Sequence, residues 1–105
     1  MSQTPEGKVK DEISKGLNSL GEDCHFEMPV NYGYGRRSID YIGCFKGRYF
    51  GIEAKSPSKR SKPTRIQELI LAKIRRAGGI GIVARSWADV WTVFYLERLL
   101  NEPLK

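Results

Sequence analysis

The stretch from Ser38 to Lys55, SIDYIGCFKGRYFGIEAK, constrains the fold more than any other part of the chain. Ser38 to Phe45 and Arg48 to Lys55 are both rich in aromatic and β-branched residues, and Lys46-Gly47 lies between them. The pattern predicts a β-hairpin, with the glycine available for the positive φ of a two-residue turn. Pairing Phe45 with Arg48 then fixes the register, and Asp40 falls directly opposite Glu53. Directly opposed residues share one face of a sheet. Period two adds Lys55 to that face and turns Phe50, Ile52 and Ala54 toward a core on the other side.

Two opposed carboxylates lie roughly 5 Å apart and repel by about 3 kcal/mol at an effective dielectric near 20. A shared proton, a neighbouring Lys or Arg, or a divalent cation would offset that cost. Hard oxygen ligands with Lys55 two residues on suit Mg²⁺. The ordinary alternative is a surface hairpin with an incidental Asp, Glu and Lys.

Everything else shares one core, because 105 residues make a single domain, residues 1–105, without room for a second. The formal charge of +6 suits a polyanionic partner. No apolar run approaches the ~20 residues of a membrane span, and the polar start MSQTPEGK is unlike a signal peptide, so no membrane role and an intracellular site are expected. Cys24 and Cys44 lack metal-type spacing and read as small, partly buried thiols. The single histidine, His25, has no identifiable catalytic partner and reads as structural or surface.

Thr4-Pro5-Glu6 is a helix start, and the helix is expected to reach Leu20 before Gly21, with Val9, Ile13, Leu17 and Leu20 inward. Glu6 tops that stripe. It either complements the positive helix terminus or leans over the sheet toward Asp40 and Glu53. Cys24 to Val30 reads as a short strand ending near Pro29. Asn31 to Arg37 combines glycines with Tyr32, Tyr34, Arg36 and Arg37, as a loop gripping phosphates or stacking on a base would, or as an ordinary connection with a solvated charge pair would. After Lys55, a proline-punctuated loop carries Lys59, Arg60 and Lys62, with Arg65 following; the run is either a solvated face or a phosphate contact. Thr64 to Gln67 fits a capping box opening a helix to Ala77, with Ile66, Leu69, Ile70 and Ile74 as its core face. Ile80 to Ala84 reads as a buried strand after Gly78-Gly79, and Ser86 to Asp89 starts a last helix ending near Asn101.

The order Asp40, then Glu53-Ala54-Lys55 on the next strand, resembles the PD-(D/E)XK nuclease superfamily, and its surroundings are similar to the VRR-NUC branch. The resemblance spans most of the chain: Glu6 opening the first helix, Ile39 to Gly43, Phe50 to Lys55, Thr64 to Gln67, and Gly78-Gly79 before a strand. It departs at Ser38, shortly before the aspartate, where many relatives carry glycine. The element order is helix, three strands, helix, strand, helix. It predicts an α/β fold whose mixed sheet is flanked by helices, matching the restriction-endonuclease-like αβββαβ core that the resemblance implies, with a C-terminal helix added.

The resemblance implies metal-dependent hydrolysis of DNA phosphodiesters. Asp40, Glu53 and the Ala54 carbonyl would hold Mg²⁺ or Mn²⁺, with Glu6 assisting directly or through water. Lys55 would orient or deprotonate the attacking water, or stabilise charge building on the phosphate. Gln67 enters as a helper for phosphate or water because relatives often carry a glutamine there. Arg36, Arg37, Lys59, Arg60, Lys62 and Arg65 are the expected DNA contacts. Free-standing relatives look like junction-resolving enzymes of bacteria or phages, which implies a cytoplasmic homodimer acting on branched DNA such as four-way (Holliday) junctions. A two-fold dimer would supply two sites in fixed relation. Trp87, Trp91, Phe94 and Tyr95 either fill the core or leave an aromatic interface patch. Two other classes remain: a non-catalytic nucleic-acid-binding module on the same fold, and a structural subunit binding another protein through its aromatic last helix.

Overall fold

The computed structural model describes residues 3–29 and 39–101, with side chains described as far as residue 98. Helix α1 spans Pro5–Ser19, strand β1 Cys24–Glu27, β2 Tyr41–Phe45, β3 Arg48–Ala54, helix α2 Arg65–Arg76, β4 Ile80–Ala84 and α3 Trp87–Asn101. The strands form one mixed sheet in the order β1-β2-β3-β4, antiparallel except for the parallel β3–β4 pair. The fold is therefore α/β, a four-stranded mixed sheet flanked by helices.

The hairpin has the expected register, with Phe45 opposite Arg48 and Tyr41 opposite Ile52. Lys46 (φ 48°) and Gly47 (φ 85°) both take positive φ, as a two-residue turn matching the right-handed twist of the strands demands. The regular part of β2 begins at Tyr41, three residues later than the sequence pattern implies, and β1 stops at Glu27, before Pro29 removes a ladder donor. Val30 and Ser38, and the loop with Tyr32, Tyr34, Arg36 and Arg37, lie outside the described residues.

Tyr41, Phe45, Phe50, Ile52, Ala54, Ile80, Ile82 and Ala84 share one face of the sheet and pack against Val9, Ile13 and Leu17 of α1 and Val90 and Phe94 of α3. Phe94 stacks on Phe45 with ring centroids 4.6 Å apart and tilts against Phe50 at 5.1 Å. The opposite face of β3 is covered by α2. A Cβ on Gly51 would stand 2.3 Å from Ile39 Cδ1 and 2.6 Å from Ile74 Cδ1, so a larger residue there would push both isoleucine tips aside. Strand β3 is thus buried on both faces, and what leaves its carboxyl end does so between two layers of helix.

Helix α2 corrects the expected phase. Its capping box forms as predicted, but Ile66 and Leu69 are about half exposed, while Gln67 and Leu71 are buried. The inward arc runs through Gln67, Leu71 and Ile74 with Ile70 half-buried beside them, so Ile70 and Ile74 take the inward place expected of them while Gln67 and Leu71 replace Ile66 and Leu69. Successive residues differ by about 100° around the helix axis, so Gln67 faces inward where its neighbour Ile66 does not. The polar Gln67 is turned inward because its side-chain carbonyl caps the helix, accepting from the Thr64 N–H at 2.9 Å.

Candidate functional site

Asp40 lies just before β2 and Glu53 near the end of β3, and the register brings them together. The Asp40 N–H donates to Glu53 Oε1 at 3.1 Å, and the Ala54 N–H donates to Asp40 Oδ2 at 2.9 Å. The two carboxylates are locked to each other's strands. Glu53 is 3% exposed, and Lys55 Nζ stands 3.4 Å from its Oε2. Burial, then the neighbouring Asp40 carboxylate, push the Glu53 pKa up to about 7, opposed by Lys55 and the Asp40 N–H. A carboxyl so placed gains from any added cation.

Glu6 stands at the start of α1 but does not reach the pair directly. Lys10, one turn along the helix, bridges them, with its Nζ 3.7 Å from Glu6 Oε2 and 3.3 Å from Asp40 Oδ1. Its backbone is held in place: Tyr41, adjacent to Asp40 in the chain, donates its hydroxyl proton to the Lys10 carbonyl at 2.7 Å. Burial pulls the Lys10 pKa down, but Asp40, Glu6 and Glu53 outweigh it and leave the pKa above the ordinary lysine value. Sequence reasoning missed Lys10. The signal was present in the i, i+4 spacing from Glu6, which places the two on one helix face.

The basic loop leaves the same end of the sheet. The Lys55 N–H donates to the Ala84 carbonyl at 2.9 Å, continuing the β3–β4 ladder, and Arg85 follows directly on β4. The Arg85 guanidinium donates to the carbonyls of Ser56 and Ser58, each at 2.7 Å, and to that of Ser61. One side chain thereby pins the loop that displays Lys59, Arg60 and Lys62, all exposed, as is Arg65 at the start of α2. No local sequence signal marks Arg85, because its partners are backbone groups more than twenty residues away. Arg36 and Arg37 lie outside the described residues. Gln67 is buried in α2 with its oxygen committed to the helix cap.

Among the described residues, no three His, Cys, Asp or Glu side chains gather closely enough to hold a metal between them. The Asp40–Glu53 pair is a hard-oxygen donor set of the kind Mg²⁺ accepts, since that ion commonly takes one or two carboxylates and fills the remaining positions with water and phosphate oxygen. The residues present fit such an ion, with the Ala54 carbonyl between Glu53 and Lys55 as a third oxygen from the chain. Cysteine chemistry has no comparable basis: Cys24, partly buried, has its thiol pushed up to about 11 by burial and by Cys44.

No protein-family model, curated protein or solved structure matches the chain. No helix among the described residues is long and apolar enough to cross a membrane.

Proposed function

We propose that the chain is a metal-dependent endodeoxyribonuclease of the VRR-NUC type on a PD-(D/E)XK core, cutting DNA phosphodiesters and preferring branched DNA. The observation that carries this reading is the pairing of Asp40 with the buried Glu53, with Lys55, just past the end of β3, at 3.4 Å from Glu53. The helix, hairpin, helix and parallel-strand order supports it as the matching frame.

Asp40, Glu53 and the Ala54 carbonyl would hold Mg²⁺ or Mn²⁺. When bound, such an ion polarises the phosphodiester and activates the attacking water. Lys55 donates from its ammonium to the charge that builds on the phosphate, in a site whose low exposure strengthens that interaction. Lys59, Arg60, Lys62 and Arg65 neutralise backbone phosphates on either side of the cut. Arg85 keeps the loop bearing three of these cations ordered before DNA arrives, which reduces the entropy lost on binding.

A second reading, a non-catalytic nucleic-acid-binding module, has one observation in its favour. Each carboxylate already faces an ammonium, Lys10 at Asp40 and Lys55 at Glu53, so the pair is held without a metal. Incubation with linear, flapped and four-way DNA in Mg²⁺, Mn²⁺ or EDTA separates the two. Cleavage that EDTA abolishes supports the nuclease, whereas binding with no cleavage in either metal supports the module.

A further inference from the structure

Lys10 is the least expected member of the acidic cluster. An ammonium 3.3 Å from Asp40 Oδ1 offsets the repulsion between Asp40 and Glu53, and it also repels any divalent ion that binds the same carboxylates. The ammonium has a second acceptor. Glu6 Oε2 lies 3.7 Å away, one helical turn toward the N-terminus, and the Lys10 side chain is 34% exposed, so its end has room to shift between the two acids. Its root has no such freedom: the Tyr41 hydroxyl bonds to the Lys10 carbonyl, Ser14 Oγ hydrogen-bonds Tyr41 at 2.8 Å, and Val9 and Ile13 bury the adjacent face of α1. A fixed backbone with a movable charged tip is the arrangement of a tethered counter-ion.

Resting on the metal-site reading above, we propose that Lys10 is an internal competitor for the divalent cation, which leaves Asp40 for Glu6 when the ion binds. Glu6 then acts on the site through Lys10, as the acceptor that receives the displaced ammonium, and not as a metal ligand. The two roles for Glu6 are separated by one comparison, the effect of Glu6→Gln with and without Lys10.

The test is calorimetric titration of Mn²⁺ into metal-free protein at constant pH and ionic strength, without DNA, for wild type, Lys10→Gln, Lys10→Arg, Glu6→Gln and the Lys10→Gln/Glu6→Gln double variant. Removing the competitor should tighten Mn²⁺ binding about ten-fold in Lys10→Gln, whereas Lys10→Arg, which keeps the charge, should stay within about three-fold of wild type. Glu6→Gln alone should weaken binding several-fold, and the same change on the Lys10→Gln background should have no further effect. Lys10→Met, which keeps the length of the stem, should repeat the Lys10→Gln result; melting in EDTA confirms that each variant is folded. Unchanged or weaker Mn²⁺ binding in both neutral variants overturns the proposal while wild-type binding leaves the metal site standing. A Glu6→Gln loss of equal size on both backgrounds also overturns it, by making Glu6 a direct ligand. If no variant binds Mn²⁺, the metal-site reading falls and takes the proposal with it.

Discussion

Asp40 and Glu53 are joined by a hydrogen bond from the backbone of one to the side chain of the other, Asp40 N to Glu53 Oε1 at 3.1 Å, so their carboxylates are held together by the hairpin itself. Neutral isosteres keep that bond: a glutamine oxygen at position 53 still accepts it. Asp40→Asn, Glu53→Gln and Lys55→Ala should therefore leave the fold and most of the DNA affinity intact, while each lowers cleavage by about 10²-fold or more. Single-turnover cleavage alongside DNA binding measured in Ca²⁺ checks this, and full activity of Glu53→Gln would refute the site.

The raised pKa of Glu53 has a consequence for stability. An unfolded glutamate titrates near 4.5 and this one near 7, so between those values the folded protein holds more protons than the unfolded one. The contribution of Glu53 to metal-free stability is thus most favourable at low pH and is lost as pH rises from about 4.5 through 7. Glu53→Gln removes that titration. In EDTA, the variant should gain on the wild type between pH 5 and pH 8, and urea melts at both values read the difference. A gap independent of pH would show that the buried carboxyl ionises normally.

The loop after Lys55 separates charge from order. Replacing Lys59, Arg60 and Lys62 together by alanine should weaken DNA binding irrespective of sequence and flatten the dependence of log K on log salt by roughly 0.9 for each phosphate no longer neutralised. Arg85→Ala leaves those three cations in place but removes their anchor to the Ser56, Ser58 and Ser61 carbonyls. It should weaken binding several-fold with a nearly unchanged slope, because the cost is the entropy of ordering the loop. Fluorescence anisotropy across a salt series distinguishes the two, and equal flattening in both would place Arg85 itself on the DNA.

The hairpin was legible in the sequence because local chemistry fixes it: a two-residue turn with glycine second sets the register, the register brings Asp40 to Glu53, and the period of two puts Lys55 on the same face as Glu53. The capping box at Thr64 was legible for the same reason. What was not legible depends on how elements pack. The face that α2 buries turns on Gln67 serving a cap while Gly51 accepts Ile74, and no count of apolar residues contains that. Lys10 shares a helix face with Glu6, as their spacing shows, but it meets Asp40 only through the packing of α1 over that end of the sheet, and Arg85 meets its loop only because β4 lies parallel to β3. Contacts between elements distant in sequence carry no periodic signal.

The last helix bears on assembly. Val90 and Phe94 are fully buried, Trp87 is partly so, and Trp91, Tyr95 and Leu96 are 37%, 49% and 52% exposed. Trp91 is braced within the chain by Trp87 and Tyr95, each at 6.3 Å, and by Phe45 at 6.5 Å, while Tyr95 and Leu96, the more exposed, are the apolar groups of α3 that a second copy would cover most fully. If α3 is the surface through which two copies pair, Tyr95→Glu with Leu96→Glu should convert a dimer into a folded monomer, because two carboxylates would be desolvated at each copy's contact face. Mn²⁺ affinity should be unchanged, since neither residue contacts Asp40 or Glu53. Cleavage of a four-way junction should lose its paired, symmetric cuts while nicking of single strands persists. Light scattering at micromolar concentration and junction cleavage on a sequencing gel give both readings. A wild-type monomer that cuts linear duplex as readily as the junction would refute the dimer and leave the metal site in place.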